Sequence, residues 1–293
     1  MMTGGSFMSS ESLPLSLYNK IKSSLSNAGV YAPAFEAFII FEEVIGEKYI
    51  NATNIDITDE KINQIENMLK KRAKHYPLQY ILGYWDFWNL HFKIGEGVLI
   101  PRADTETLVE LALSKIKNIE KPVIVDLCSG SGCIAISVAT ERPDAIVYAV
   151  EKSKKAFEYL NENIKINNAI NVKPILADVL NKCIFKENLL FNLILSNPPY
   201  IQSKSIKCLQ KEVMFEPKMA LDGGDDGLYF YKNITEIWFN KLKNNGVLAF
   251  EIGYNQFDKV KTIMESKGLV DIKYKKDLNG ISRVIYGNNT KSY

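Results

Sequence analysis

A doubly wound α/β sheet of seven strands, ending in an antiparallel hairpin, is the fold that the larger C-terminal part of this 293-residue sequence predicts. Three observations carry the prediction. From about residue 104 onward, short apolar runs alternate with helical patterns, as βα units on a mostly parallel sheet do. The first run, Val123-Ile124-Val125, leads into a glycine turn that opens a helix-like stretch, Ile134, Ala135, Val138 and Ala139. The last two runs are separated only by Lys276 to Ile281, too little for a crossover helix, so they pair antiparallel. The sheet is therefore Rossmann-like, and a small helical domain and a β-hairpin linker precede it.

The elements follow in order. Residues 1–10 read as a disordered leader, with Met8 an alternative start. Residues 11–75 read as a helical domain of three or four short helices. The clearest begins at Thr58, an N-cap followed by Asp59 and Glu60, carries Ile62, Ile65 and Leu69 at helical spacing, and ends near Lys70, Lys71 and Arg72. That stripe is the core face of a small bundle or, alternatively, a groove for a partner. Residues 76–103 read as a β-hairpin linker, in which Leu90, Phe92 and Ile94 alternate with His91 and Lys93 while Trp85, Phe87 and Trp88 anchor it. In the sheet domain, 104–293, strands are expected near 123–126, 146–150, 172–176, 189–195, 246–252, 270–275 and 282–287. The long irregular stretch 201–227 suits a lid or a substrate-binding loop.

Composition narrows the function classes. Hydrophobic content of 46% and charged content of 24% are those of a soluble globular protein, and a formal net charge of +2 gives no field for generic nucleic-acid binding. No apolar stretch approaches a membrane span, and the N-terminus has no signal-peptide pattern. Cys128, Cys133, Cys183 and Cys208 form no C-x-x-C pair, and only His75 and His91 could join them, so no metal site is expected. A cytoplasmic protein with reduced thiols fits these facts.

Asn197-Pro198-Pro199-Tyr200 follows the buried run from Leu189 to Ser196. Two prolines cannot continue a central strand, so they hold a stiff turn at the strand's C-terminal end, where open α/β sheets place ligands. The Asn197 side-chain oxygen and the Pro198 carbonyl are two acceptors that could grip a planar NH₂ group by both hydrogens, with Pro199 stiffening the turn and Tyr200 against the flat face. Upstream, Asp126-Leu127-Cys128-Ser129-Gly130-Ser131-Gly132 has the glycines that let a backbone approach a ligand at a helix N-terminus. Glu151, ending the next strand, is placed to accept both ribose hydroxyls of a nucleoside. The same residues also satisfy a dinucleotide fingerprint. Asp126, which could meet an ammonium, and Asp178, which could accept from an adenine amino group beside Val179, favour S-adenosylmethionine over NAD.

The string from Val125 to Tyr200 resembles a class I S-adenosylmethionine-dependent methyltransferase with an NPPY motif. That motif occurs in enzymes that methylate adenine in DNA, guanine in RNA or glutamine in proteins, and does not choose among them. Pro77-Leu78-Gln79-Tyr80-Ile81-Leu82-Gly83, Val98-Leu99-Ile100-Pro101-Arg102 and Asp104-Thr105-Glu106 precede it. Glu212-Val213, Glu216-Pro217, Ala220-Leu221 and Gly223-Gly224-Asp225-Asp226-Gly227-Leu228 follow it. In that order these strings resemble the release factor glutamine methyltransferases, the HemK/PrmC family, over about residues 12 to 286. The chain departs from the family pattern at Cys128 (usually glycine), Ala103 (usually proline), Glu151 (usually aspartate) and Val179 (often aromatic).

The resemblance implies an enzyme that moves a methyl group from S-adenosylmethionine, leaving S-adenosylhomocysteine, to the side-chain nitrogen of a glutamine. The substrate it implies is the Gly-Gly-Gln loop of peptide chain release factors, docked by the helical domain. Asp126, Cys128, Ser129, Gly130, Ser131, Gly132, Glu151, Asp178, Val179 and Asn197 would hold the cofactor, and the NPPY residues the substrate amide. Methylation of a ribosomal protein's glutamine, or less readily of a nucleic-acid amino group, remains the alternative. On this reading Gly132→Val loses the cofactor while the fold stays intact.

Overall fold

The computed structural model describes residues 13–48, 57–185 and 188–290, so the expected leader 1–10 lies outside the described residues. The chain divides into two compact units, Met1–Ile81 and Leu82–Tyr293.

The first unit is helical. α1 (Leu13–Asn27), α2 (Pro33–Ile45) and α3 (Asp59–Arg72) are followed by a short α4 (Leu78–Leu82) at the unit's end. Tyr18, Ile21 and Leu25 of α1 are buried with Ala37, Ile40, Phe41 and Val44 of α2, the i, i+3, i+4, i+7 spacing of a core face. Pro33 opens α2, where its missing N–H costs nothing, and Gly46 at φ +88 closes it. Thr58 caps α3 by accepting from the Lys61 amide at 3.3 Å. The buried face of α3 is Ile65, Met68 and Arg72, rotated from the expected Ile62, Ile65 and Leu69. The reason is Arg72. It is 1% exposed, grips Glu36 of α2 through two hydrogen bonds of 2.7 and 3.0 Å, and donates to the Tyr76 carbonyl. A charged pair at that depth fixes the rotation of α3 against α2.

The second unit opens with the hairpin β1 (Tyr84–Phe87) and β2 (Leu90–Lys93). Its two-residue turn places Trp88 and Asn89 at φ +53 and +56, the geometry that matches strand twist. Of the alternating Leu90, Phe92 and Ile94, the last two are buried and Leu90 is half-buried; Phe87 is buried as an anchor, while His91 faces outward beside Asp86 at 3.0 Å. The segment read as hairpin from residue 76 begins instead with α4. Leu78 and Tyr80 are both buried in this five-residue helix, which is too short to register as periodic.

All seven expected sheet strands form. In order they interleave as α5 (Glu106–Ile116), β3 (Val123–Leu127), α6 (Cys133–Glu141), β4 (Ile146–Glu151), α7 (Lys154–Ile166), β5 (Val172–Leu176), β6 (Phe191–Ser196), α8 (Tyr229–Trp238), β7 (Leu242–Glu251), α9 (Phe257–Lys267), β8 (Leu269–Lys276) and β9 (Ser282–Asn289). The spatial order is β5-β4-β3-β6-β7-β9-β8, and β9 runs opposite to the other six strands, pairing antiparallel with both β7 and β8. The chain winds outward from β3 to β5, then returns to lay β6 on the other side of β3. The strand order thus reverses between β3 and β6, and a crevice opens beyond their C-terminal ends. The glycine loop and the NPPY turn leave the sheet at that crevice. Ser196 locks the two strand ends together by donating to the Leu127 carbonyl at 2.7 Å. Among the described residues no helix is long and apolar enough to cross a membrane.

Candidate active site

A cavity lies at the crevice. Cys128, Ser129, Gly130 and Ser131 of the glycine loop, Glu151, Asp178, Val179, Asn197 and Pro199 line it. So do Ile100, Pro101, Arg102 and Thr105 from the approach to α5, and Pro217, Met219 and Ala220 from the segment after the turn. Four predicted site residues are not on its wall: Asp126, Gly132, Pro198 and Tyr200.

The loop is built by backbone geometry. Gly130 and Gly132 take φ +55 and +85. A Cβ on Gly130 would meet nothing within 4 Å, so that face is open to the cavity. A Cβ on Gly132 would lie 2.4 Å from Leu160 Cδ1 and 3.0 Å from Ile136 Cδ1, so this glycine serves the packing of α6 against α7. Cys128 takes φ +62, a left-handed conformation that costs a side-chain-bearing residue about 1–2 kcal/mol. Its substitution for the usual glycine keeps the turn and adds a thiol to the cavity wall. Asn163 of α7 ties the loop to β2, accepting from the Lys93 amide and donating to the Ser131 and Lys93 carbonyls at 2.7, 2.9 and 3.0 Å.

Asp126 is fully buried, and neither of its carboxylate oxygens has a hydrogen-bond partner. The Ser129 hydroxyl donates to its main-chain carbonyl instead, at 2.9 Å. Burial pushes the carboxyl up from 3.8 to about 7, which the nearby Ser129 and Ala135 donors offset only in part. Glu151 is also shifted upward by burial, against the amides of Ser153 and Gly130, which donate to its two oxygens at 2.6 and 2.8 Å. Asp178 is pushed up by partial burial, but Lys152, at 2.8 Å, and the Leu180 amide outweigh this and hold it below the usual range.

The Asp126 shift has a measurable consequence. A carboxyl whose folded pKa is raised contributes stability below its unfolded pKa of 3.8, and that contribution is lost as pH climbs through about 7. Asp126→Asn removes the effect and leaves the other carboxyls unchanged. Relative to wild type without ligand, its melting temperature should gain steadily across that window and level off above it. Parallel curves for the two proteins would show that Asp126 does not carry a buried charge.

The NPPY turn is gripped from several sides. Asn197 Nδ2 donates to Thr105 Oγ1 at 3.3 Å, and the Thr105 hydroxyl donates to Glu251 Oε2 at 2.6 Å. Tyr200 donates its hydroxyl to Glu251 Oε1 at 3.3 Å, and its carbonyl accepts from Gln256 Nε2 at 3.0 Å. Gly223 packs so closely that a Cβ there would lie 2.7 Å from Tyr200 Cα. The stretch 201–227 is irregular but tied down. The Ile201 amide donates to the Leu221 carbonyl at 2.9 Å, and the Gly223 amide to the Ile201 carbonyl at 2.8 Å. Buried Glu216 accepts from the Ile100 amide at 3.0 Å and pairs with Arg102, joining two walls of the cavity.

Thr105, Glu216 and Glu251 are the site residues that sequence reasoning did not single out. Glu251 carried the same signal as Glu151, an acid ending a buried strand. It is 2% exposed, and burial raises it from 4.5 to about 7 against Thr105, Arg283 and Tyr200.

Comparison with known proteins agrees with this architecture. The family model described as PrmC N-terminal domain matches residues 16–83, and the Methyltransferase small domain matches residues 102–225. Among solved structures, the hMettl16 catalytic domain in complex with MAT2A 3'UTR hairpin 1 shares the fold, with a TM-score of 0.59 at 12% identity over 93% of this chain and 94% of that one. A methyltransferase from Pyrococcus furiosus superposes with a TM-score of 0.51 at 18% identity over 80% of this chain and all of its own. A release factor glutamine methyltransferase of Fusobacterium nucleatum is 40% identical over 92% of this chain and 77% of its own length. The enzyme of the same description from Thermodesulfovibrio yellowstonii is 41% identical over 82% and 86%, and that from Caulobacter vibrioides 31% over 91% and 93%. With both domains matched and such identity along most of its length, the chain belongs to the release factor glutamine methyltransferase family.

Proposed function

We propose that this enzyme methylates the side-chain nitrogen of the glutamine in the Gly-Gly-Gln loop of peptide chain release factors, in the cytoplasm, with S-adenosylmethionine as donor and S-adenosylhomocysteine as product. The observation that carries the reading is the meeting of Asn197 with the glycine loop in one cavity at the switch of strand order.

The residues present suit the cofactor. Asp126 offers a buried carboxylate with both oxygens unpaired, a site that an ammonium group would complete. Gly130 opens onto the cavity without a side chain, and Cys128, Ser129 and Ser131 form the rest of that wall. Glu151 keeps free lone pairs for ribose hydroxyls, while Asp178 and Val179 border the place for adenine. The bound cofactor supplies an electrophilic sulfonium methyl. An amide nitrogen is a poor nucleophile because its lone pair is delocalised, so the protein's main task is alignment. Asn197 Oδ1 and the Pro198 carbonyl accept the two amide hydrogens and stabilise the nitrogen as its new bond forms, and one of those protons leaves to water after transfer, when the methylated nitrogen is acidic. Tyr200 packs against the amide plane, and its hydroxyl bond to Glu251 also braces the turn. The helical unit docks the rest of the release factor.

Glu151→Ala should weaken S-adenosylmethionine binding about tenfold or more, since charge-assisted hydrogen bonds contribute about 1.5–3 kcal/mol each. It also releases the Gly130 and Ser153 amides, so the loop loses an anchor with the ligand. Unchanged affinity by calorimetry would leave Glu151 a structural acid only. The substrate is tested by incubating the protein with labelled S-adenosylmethionine and a purified release factor, then mapping the methyl group by mass spectrometry. Methylation at the Gly-Gly-Gln glutamine is expected. Label entering only ribosomal protein or nucleic acid would overturn the assignment.

A further inference from the structure

We infer that Thr105 and Glu251 are positioning residues that set which way round the Asn197 amide sits, so that its oxygen is turned to the substrate. The inference rests on the reading of Asn197 as the acceptor of the target amide.

The argument follows the direction of each hydrogen bond. Ionised Glu251 can only accept, so the Thr105 hydroxyl, 2.6 Å away, must donate to it. A hydroxyl has one proton, and that proton is committed. Toward Asn197, at 3.3 Å, Thr105 can therefore only accept. Asn197 must present its NH₂ to Thr105, which leaves Oδ1 for the other side. An unconstrained asparagine could equally turn its NH₂ toward the substrate, where it would oppose another NH₂ group. The order of donors thus passes from an acceptor-only carboxylate through a hydroxyl to the amide.

The surroundings hold this order in place. Thr105 and Glu251 are each 2% exposed, so water does not compete for either group. The second oxygen of Glu251 accepts from Tyr200, so the same carboxylate fixes both ends of the NPPY turn. Its main-chain carbonyl accepts from Tyr231 at 2.9 Å, which steadies the strand end that bears it. Arg283, paired with Asp104 and Asp277, lies close enough for its charge to favour the ionised form of Glu251. Thr105 immediately precedes α5, and Glu251 ends β7, so two rigid elements define the distance between them.

A double-mutant cycle on the full-length protein, assayed on the alkaline side of neutrality where Glu251 is ionised, tests the assignment. Thr105→Val should slow single-turnover methylation of its folded fraction about tenfold at saturating S-adenosylmethionine, and should also lower the melting temperature, because buried Glu251 loses a donor. Thr105→Ser, which keeps the hydroxyl, should recover most of the rate. In the Asn197→Ala background, Thr105→Val should cost nothing further, because there is no amide left to orient. If Thr105→Val folds poorly, Thr105→Ala enters the same cycle without adding volume. The same loss with and without Asn197 would overturn the inference, as would a folded Thr105→Ser protein as slow as Thr105→Val. Full turnover in Asn197→Ala alone would instead remove the reading of Asn197 on which the inference rests.

Discussion

Asn197→Ala should fold, hold S-adenosylmethionine and transfer its methyl group at least about 10²-fold more slowly, the scale of losing one preorganised partner of a transition state. On the proposed reading the cofactor's charged and hydroxyl groups would be met by Asp126 and Glu151, neither of which hydrogen-bonds to Asn197. The turn itself keeps the Gln256 bond to the Tyr200 carbonyl and the Ile201 bond to Leu221. What is lost is one acceptor for the substrate and one donor to Thr105. Asn197→Asp separates these two losses. A carboxylate still accepts, but it cannot donate to Thr105, and it adds a second negative charge facing the hydroxyl that Glu251 holds. It should bind cofactor and methylate poorly. A turn that is only structural predicts something else: activity falling in proportion to the folded fraction. Thermal stability, cofactor affinity and single-turnover rate measured on the same samples distinguish the two, and a folded Asn197→Ala enzyme with full turnover would falsify the central claim.

Gly132→Val should destabilise the fold itself, by about 3 kcal/mol, combining a strained left-handed backbone with an overpacked helix contact. For a unit of this size that lowers the melting temperature by roughly 10 °C. This corrects the expectation that the variant keeps its fold and loses only the ligand. The added side chain would enter Leu160 and Ile136, not the cavity. Gly130→Ala is the contrasting case. Its Cβ meets no protein atom within 4 Å, so its main effect should fall on cofactor affinity. A Gly132→Val protein that melts like wild type but binds no cofactor would restore the original view.

Much of this was legible in the sequence because period and punctuation carry it. The seven strands, the hairpin at the end of the sheet, the Thr58 cap and the two loops at the crevice all follow from local pattern. The parts that were missed depend on residues far apart in the chain. Arg72 reads as an ordinary helix-end cation, and only the approach of Glu36 explains its burial. Gly132 reads as a ligand glycine, and only Leu160 shows that its missing side chain also serves packing. Thr105 lay inside a recognised string, yet its partner Glu251 stands 146 positions on. A hydrogen-bonded chain assembled from three separate elements has no local spacing to detect.

The tether between Glu216 and the Ile100 amide spans 116 positions, and that between Thr105 and Glu251 spans 146. Closing such separations costs chain entropy before any contact repays it. During synthesis the glycine loop emerges from the ribosome well before either glutamate exists. The nascent chain therefore carries half of its binding site without a roof, and β7 must be made and inserted beside β6 before Thr105 finds its acceptor. A chain truncated before Glu251 would carry the glycine loop while Thr105 lacks its acceptor.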